Sequence, residues 1–403
     1  MKVLFFISSF PKLSETFILS QITGLINRGV DVEILSWNEV YTSQEHGAVA
    51  EYKLRDKTTY IQIPENKIKR FLKGAGIFIK EFFKHPYLAM DTLNGKKHGQ
   101  MAYSLRLLYA LDYFSKRKKA DAVICHYGPN GNIASFFKQH GLLEEKTMVF
   151  FHGHDLTSFV EKWGDAIYSA LFQTDIELLP VSDYFAKKLI QLGANQETIC
   201  KHAMGINPTE FSYIEPRVLE GELQLLTIGR LTEKKGIDKA IEVVHLLKER
   251  GISVKLSVLG DGELRTELTD LITKLDVADC VTLHGWKTQD EINIAIEQTD
   301  ILIQLSRTAK TGDMEGIPMV LMEGMARGKI VLSTYHSGIP ELITSGDNGW
   351  LVAENNIEEA ADKIEEIIAN KEQWRPMSKA AQAKIEADFD IEKWNDRLIS
   401  KLK

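Results

Sequence analysis

The stretch from Leu223 to Leu259, LQLLTIGRLTEKKGIDKAIEVVHLLKERGISVKLSVL, decides the fold. Leu223–Gly229 and Ser253–Leu259 are short apolar runs of strand length, and Ile237–Glu249 between them has helix-period patterning. Strand, helix and strand in this order make two parallel strands joined by a crossover helix.

The same alternation extends in both directions. Strand candidates in the first half are Val3–Ser8, Val30–Ser36, Asp121–Cys125, Thr147–Phe151, Ile176–Val181 and Thr198–Ala203. In the second half Val281–His284, Ile301–Leu305 and Ile330–Ser333 join the two already quoted, with helical stretches at Glu263–Leu275 and Ile357–Ala369. Such alternation predicts an α/β protein with parallel sheets covered on both faces. Eleven strands are many for one open sheet, and Gly205–Gly221, with Pro208 and Pro216, reads as a linker. The expected organisation is a domain over 1–205, a linker over 206–221, a second domain over 222–385, and a terminal helix over 386–403 that packs back on the first. A cleft separates the two doubly wound domains.

The 403 residues are 44% hydrophobic and 26% charged, which excludes collagen-like, coiled-coil and disordered chains. A net charge of −7 gives no basic field for nucleic acid. Cys125, Cys200 and Cys280 form no CxxC pair, so neither a zinc ribbon nor a disulfide framework is expected, and a reducing cytoplasm fits. The opening MKVLFFISSF is too short in its apolar run for a signal peptide and reads as the first strand.

One region departs from this balance. Residues 67–119 carry 13 Lys/Arg against three acids. Within them Lys67–Lys84 places Lys69, Lys73, Lys80 and Lys84 on one helical face, and Ile68, Phe71, Leu72, Ala75, Phe78, Ile79 and Phe82 on the other. A basic amphipathic helix of this kind can lie in an anionic membrane surface. The competing reading is a core-packed helix with a solvated lysine face, and Gly74 and Gly76 weaken any helix here.

Parallel two-layer domains bind ligands at the carboxyl ends of their strands, and four such places carry polar residues. After Leu223–Gly229 come Arg230 and Lys235, cations before a helix that suit a diphosphate. After Ile301–Leu305 comes the stretch Asp313–Glu323, in which Pro318 starts a helix and leaves the N–H groups of Met319 and Val320 free. Glu315 and Glu323 flank that start, and carboxylates accept strong hydrogen bonds from sugar and ribose hydroxyls. After Thr147–Phe151 come His152, Gly153, His154 and Asp155, where Gly153 permits a close backbone approach. These residue types also ligate zinc, but adjacent residues rarely converge on one ion. After Val3–Ser8, Ser14 is a candidate N-cap for the first helix, and Lys12 and Glu15 are candidates for the acceptor side.

GRLTEKKG, EGIPMVLME with its two glutamates eight apart, FHG, and HSGIPELI at His336–Ile343 resemble the motifs of retaining glycosyltransferases of family 4. The N-terminal SFPKLSETFI is similar to the branch that builds bacterial exopolysaccharide, capsule and O-antigen repeats. The resemblance implies the GT-B fold of two facing Rossmann-like domains. It implies that Arg230, Lys235, Met319 and Val320 hold the donor diphosphate, Glu323 the ribose, and Glu315 the transferred sugar. His152 would sit near the reacting carbon. The donor would be a UDP- or GDP-linked sugar, the acceptor a saccharide, lipid-linked in this branch, and no metal or other cofactor is implied. The chain departs from the family at Ser8-Ser9-Phe10-Pro11, where many members have a Gly-Gly turn.

Departure of the leaving group piles negative charge on the diphosphate, so the cations act mainly on the transition state. Without an evident nucleophilic carboxylate besides Asp155, a front-face reaction through an oxocarbenium-like state is expected. Two rivals share the architecture. One is a nucleotide-sugar 2-epimerase, which usually needs a GTRPE-like loop that SSFPKLSETF does not supply. The other is a non-catalytic nucleotide-sugar-binding subunit of a membrane assembly. The expected location is the cytoplasm, with attachment at the inner face of the plasma membrane if the basic segment binds it.

Overall fold

The structure, a computed structural model, describes residues 1–12, 15–41, 45–217, 219 and 221–403. Ser14, the candidate N-cap, lies outside the described residues, and the first helix runs Thr16–Asn27 with Glu15 at its cap position.

The described strands form two six-stranded sheets. The first holds β1 (Lys2–Phe10), β2 (Asp31–Glu39), β3 (Thr58–Tyr60), β4 (Ala122–His126), β5 (Lys146–Phe151) and β6 (Glu177–Pro180). The second holds β7 (Leu223–Ile228), β8 (Val254–Leu259), β9 (Val281–Gly285), β10 (Ile301–Gln304), β11 (Ile330–Thr334) and β12 (Trp350–Val352). Every pairing is parallel, in the orders β3-β2-β1-β4-β5-β6 and β12-β11-β10-β7-β8-β9. Both are the doubly wound order, whose switch points lie between β1 and β4 and between β7 and β10. Central strands such as Val3–Ile7 and Ile301–Ile303 are wholly buried, as helices on both faces require.

Two edge strands, β3 and β12, were not expected from the sequence. Conversely, Thr198–Ala203 is not a sheet strand: it runs beside β6, with Cys200 N–H donating to Leu178 and His202 N–H to Pro180, and makes one isolated bridge.

The chain passes between the two sheets twice, and the passes pair. Ile206 N–H donates to Phe389 O at 3.0 Å and Ile391 N–H to Ile206 O at 2.9 Å. The last helix, Ile391–Leu402, then lies on Thr16–Asn27, with Leu398 and Leu402 in the first core. Arg28 binds Glu392 at 2.8 Å and Asp396 at 2.6 Å. At the crossing a Cβ on Gly24 would fall 2.0 Å from the Asn395 side chain, so only glycine lets the helices approach this closely.

Candidate active site

The carboxyl ends of the two sheets face a cleft of about 440 Å³. Phe17, Tyr127 and His152 line it from the first sheet's side. Lys234, Lys235, Glu315, Met319, Val320 and Glu323 line it from the second's. Two loops meet at its floor. A Cβ on Gly153 would lie 3.3 Å from Met314 O, and one on Gly316 would lie 3.0 Å from His152 O. The groups approaching Gly153 are therefore the Phe185 ring, 3.2 Å from the same Cβ position, and backbone of the opposite loop.

Lys235 follows β7 on a one-turn helix, Glu233–Lys235, closed by Gly236 at φ 62°. A Cβ on Gly236 would lie 1.8 Å from Leu305 O, so this glycine seats the turn on the end of β10. Lys235 Nζ donates to Glu315 Oε2 at 3.1 Å, and Lys234 Nζ sits 3.0 Å from Asp313 and 3.6 Å from Glu315. Burial pushes the Glu315 carboxyl up, but Lys235 and Lys234 outweigh it and hold the group below the usual carboxylate range. Burial alone lowers Lys234, and Glu315 and Asp313 more than reverse that. Glu323 has no ion pair among the described residues, and burial raises it against the weaker pull of Arg327.

Arg230 does not line the cleft. It is exposed on the loop, with no ion pair among the described residues, and Lys234 takes the position beside Lys235. Sequence reasoning missed Lys234, although the Lys-Lys doublet marked it.

Met319 and Val320 open the helix Met319–Ala326 behind Pro318, so their N–H groups lack intrahelical acceptors and lie at the cleft. The loop before that helix is held by His336, which sequence reasoning quoted in HSGIPELI without a role. Glu315 N–H donates to His336 Nε2 at 3.1 Å, so the proton is on Nδ1, which bonds Glu354 at 2.6 Å. Glu341 of the same segment accepts from Asp183 and Tyr184 N–H at 2.8 and 3.2 Å, tying the second sheet's unit to the first's.

The His152 ring lies tilted against Phe17, with centroids 4.8 Å apart, and bonds His126 Nδ1 through Nε2 at 3.0 Å. His126 Nε2 in turn bonds Gln21 Oε1 at 3.0 Å. With the amide oxygen as acceptor, both imidazoles carry their proton on Nε2, and His152 Nδ1 remains an acceptor. Burial pushes His152 down to about 3, so it is neutral at ordinary pH.

Asp155 is not placed as a nucleophile: its oxygens accept N–H groups from His152, Gly153 and Gly128 at 2.9–3.0 Å. His154 turns instead to Ser158. The three residues of the weighed zinc reading point to different partners.

Lys12 and Glu15 bind each other at 2.7 Å outside this cleft. Glu15 still touches its wall, since Tyr127 O–H donates to Glu15 Oε1 at 3.1 Å. Tyr127 holds φ 72°, a conformation that costs a non-glycine residue about 1–3 kcal/mol and is commonest at functional sites.

Comparison with known proteins matches residues 212–384 to the family model described as glycosyl transferases group 1. A putative colanic acid biosynthesis glycosyltransferase of Escherichia coli K12 is 35% identical, covering 100% of this chain and 99% of its own. An amylovoran biosynthesis glycosyltransferase of Erwinia amylovora is also 35% identical, over 97% and 96%. Among solved structures, the Anabaena protein HepE in complex with UDP superposes with a TM-score of 0.71 at 15% identity, over 100% and 99% of the two chains. The shared architecture is GT-B.

Proposed function

This chain belongs to the group 1 family of glycosyltransferases, and on that premise we propose that it moves a sugar from a UDP- or GDP-linked donor, with retention, to a lipid-linked saccharide acceptor in surface exopolysaccharide assembly. The observation that carries the reading is the cluster of Lys234, Lys235 and Glu315 beside the open N-terminus of Met319–Ala326. A diphosphate entering there gains two ammonium groups, two free N–H groups and the helix dipole. Arg230, unpaired at the rim, adds a third cation by swinging inward.

As the glycosidic bond breaks, charge grows on the diphosphate, and these donors stabilise the transition state more than the ground state. Glu315 exchanges its lysine partners for the transferred sugar, and Glu323 binds the ribose. His152 offers a neutral acceptor to the sugar without adding positive charge next to the oxocarbenium. Asp155 is committed to backbone N–H groups, which favours front-face attack over a covalent intermediate. Cations and N–H groups fill the charge-neutralising role, so the reaction needs no metal.

The names of the colanic acid and amylovoran relatives support the polysaccharide assignment. The test is a thermal-shift panel of UDP- and GDP-sugars followed by turnover and assignment of the product anomer. A donor at 100 times its Kd adds about 2.7 kcal/mol. A panel with no stabilising nucleotide sugar refutes the donor, and an inverted product refutes retention.

The basic helix supports work at the inner face of a membrane. Lys67–Lys84 packs inward through Gly74, Ile77 and Glu81, where a Cβ on Gly74 would lie 2.9 Å from Leu105. Phe78 also packs against the core, but most of the helix's apolar face does not: Phe71 is 68% and Phe83 83% exposed, with Ile68, Leu72 and Ile79 beside them. Lys80 is paired with Asp112 at 2.7 Å and Lys73 donates to Gln62 O at 3.2 Å, which leaves Lys69 and Lys84 to meet anionic headgroups. No helix among the described residues is long and apolar enough to cross a membrane.

A further inference from the structure

A second, larger cavity of about 1070 Å³ opens on the first sheet's side of the molecule, apart from the donor cleft. One wall comes from Lys67–Lys84 and the segment that follows it, the other from Gly128–Gln139 and Ser158–Trp163. Trp37, Phe136, Phe159 and Trp163 make its apolar surface, and Arg70 and Arg106 project into it.

These two arginines lack what surface arginines normally have. Among the described residues neither makes an ion pair within 4.0 Å. Arg70 is fixed by carbonyls, donating to Pro64 O at 2.8 Å and Glu65 O at 3.4 Å. The Arg106 guanidinium rests 5.6 Å from the centre of the Trp37 ring and makes no hydrogen bond to the described protein. The residue before it, Leu105, holds φ 60°, which is unusual for a bulky side chain and sets the start of Arg106–Phe114. Glu65 is the single acid in the described lining, and it is exposed with no ion pair among the described residues, whereas the lining Lys97 is already neutralised by Asp91 at 3.0 Å. Burial first, and then the nearby Arg70, push the Arg106 guanidinium down.

The ends of the cavity show what fits between them. At one end Tyr103 lines it and is 73% exposed, two residues before Leu105, which packs on Gly74 of the helix whose apolar stripe faces outward. At the other, Trp37 Nε1 donates to Asn130 Oδ1 at 2.9 Å, in the same turn as Tyr127 of the donor cleft. A free anion would not need the aromatic walls, and an apolar chain would not need the arginines.

We propose that this groove binds the acceptor, with Arg70 and Arg106 holding the phosphate or diphosphate that joins its saccharide to a lipid, and with the sugar reaching past the 127–130 turn toward the donor. The proposal rests on the glycosyltransferase reading and names the acceptor site within it.

The test uses the full chain and calorimetric titration of farnesyl diphosphate, in the presence of saturating UDP or GDP so that the donor cleft is filled. Farnesol and inorganic diphosphate serve as the two half-ligands. Farnesyl diphosphate should bind Arg106→Gln at least about tenfold more weakly than wild type, the loss expected of one charged hydrogen bond. Arg106→Lys should recover part of the loss. Both half-ligands should bind wild type more weakly than the whole. The proposal is overturned if Arg106→Gln binds farnesyl diphosphate as wild type does. It is overturned for a free-phosphate site if inorganic diphosphate binds as tightly, and for a plain apolar groove if farnesol does. Nucleotide affinity measured separately on both proteins keeps the two readings apart. Its absence from wild type refutes the donor assignment, whereas its loss in Arg106→Gln alone shows that the groove belongs to the donor cleft and overturns the proposal.

Discussion

Glu315 and Lys235 should respond in opposite ways to mutation. In the structure Glu315 holds the cations that a diphosphate would use, with Lys235 at 3.1 Å and Lys234 at 3.6 Å. A hydrogen bond to a charged partner contributes about 1.5–3 kcal/mol net. Lys235→Ala removes one such bond to the diphosphate, so UDP or GDP should bind about 10- to 150-fold more weakly. Glu315→Gln keeps the shape and removes the competing charge, so the same nucleotide should bind equally or up to about tenfold tighter. Turnover should nevertheless fall in both, by about 10²–10³ for the lost stabilisation of the transition state. Calorimetry on the wild type and both variants, paired with initial rates on the preferred donor, separates the two effects. If Glu315→Gln loses nucleotide affinity as Lys235→Ala does, the ion pair is a structural unit that the diphosphate does not open, and the assignment fails.

Activity should survive EDTA, because lysines and N–H groups carry the charge that a metal carries elsewhere; loss on chelation with recovery in Mg²⁺ or Mn²⁺ would contradict this. Burial depresses His126, His152 and His202, the latter two to about 3, so the unfolded chain binds more protons below its ordinary histidine value of about 6.5. The associated stability is complete above about pH 6.5 and is lost as the pH falls toward 3, so the urea midpoint should drop between pH 7.5 and 5.5, and a flat midpoint would refute it. Gly236→Ala should destabilise by at least about 1–2 kcal/mol through its left-handed backbone and its contact with Leu305, read by urea denaturation. Changing Lys69 and Lys84 together to Gln should remove about 2 kcal/mol of attraction and release the protein from anionic vesicles in low salt, with nucleotide affinity unchanged. Wild type that ignores such vesicles would refute the membrane assignment.

The two sheets were legible in the sequence because parallel strands are continuous apolar runs and crossover helices have their own period. That signal needs length. β3 and β12 have three residues each and sit at sheet edges, so no pattern could mark them. Thr198–Ala203 has strand composition, but Thr198 ends a 3₁₀ turn and apart from one isolated bridge to β6 the segment joins no sheet, since pairing is a property of neighbours rather than of composition.

The same distinction governs the site. Residues that leave a strand end, such as His152, Lys235 and Glu315, could be found from the sequence, because topology directs strand ends to the cleft whatever the side chains do. Topology says nothing about side-chain direction within a loop. Arg230 and Lys234 occupy one loop between β7 and its helix, and a single turn of 3₁₀ geometry sends Lys234 to Glu315 and leaves Arg230 in solvent. Groups that converge from distant segments leave still less trace: Gln21 and His126 are 105 positions apart, and the groove draws on residues from Trp37 to Trp163. What the sequence does preserve there is an imbalance of charge. The 13 cations of residues 67–119 exceed what the local acids neutralise, and a fold that leaves Arg106 without a carboxylate has placed part of that excess where a ligand can use it.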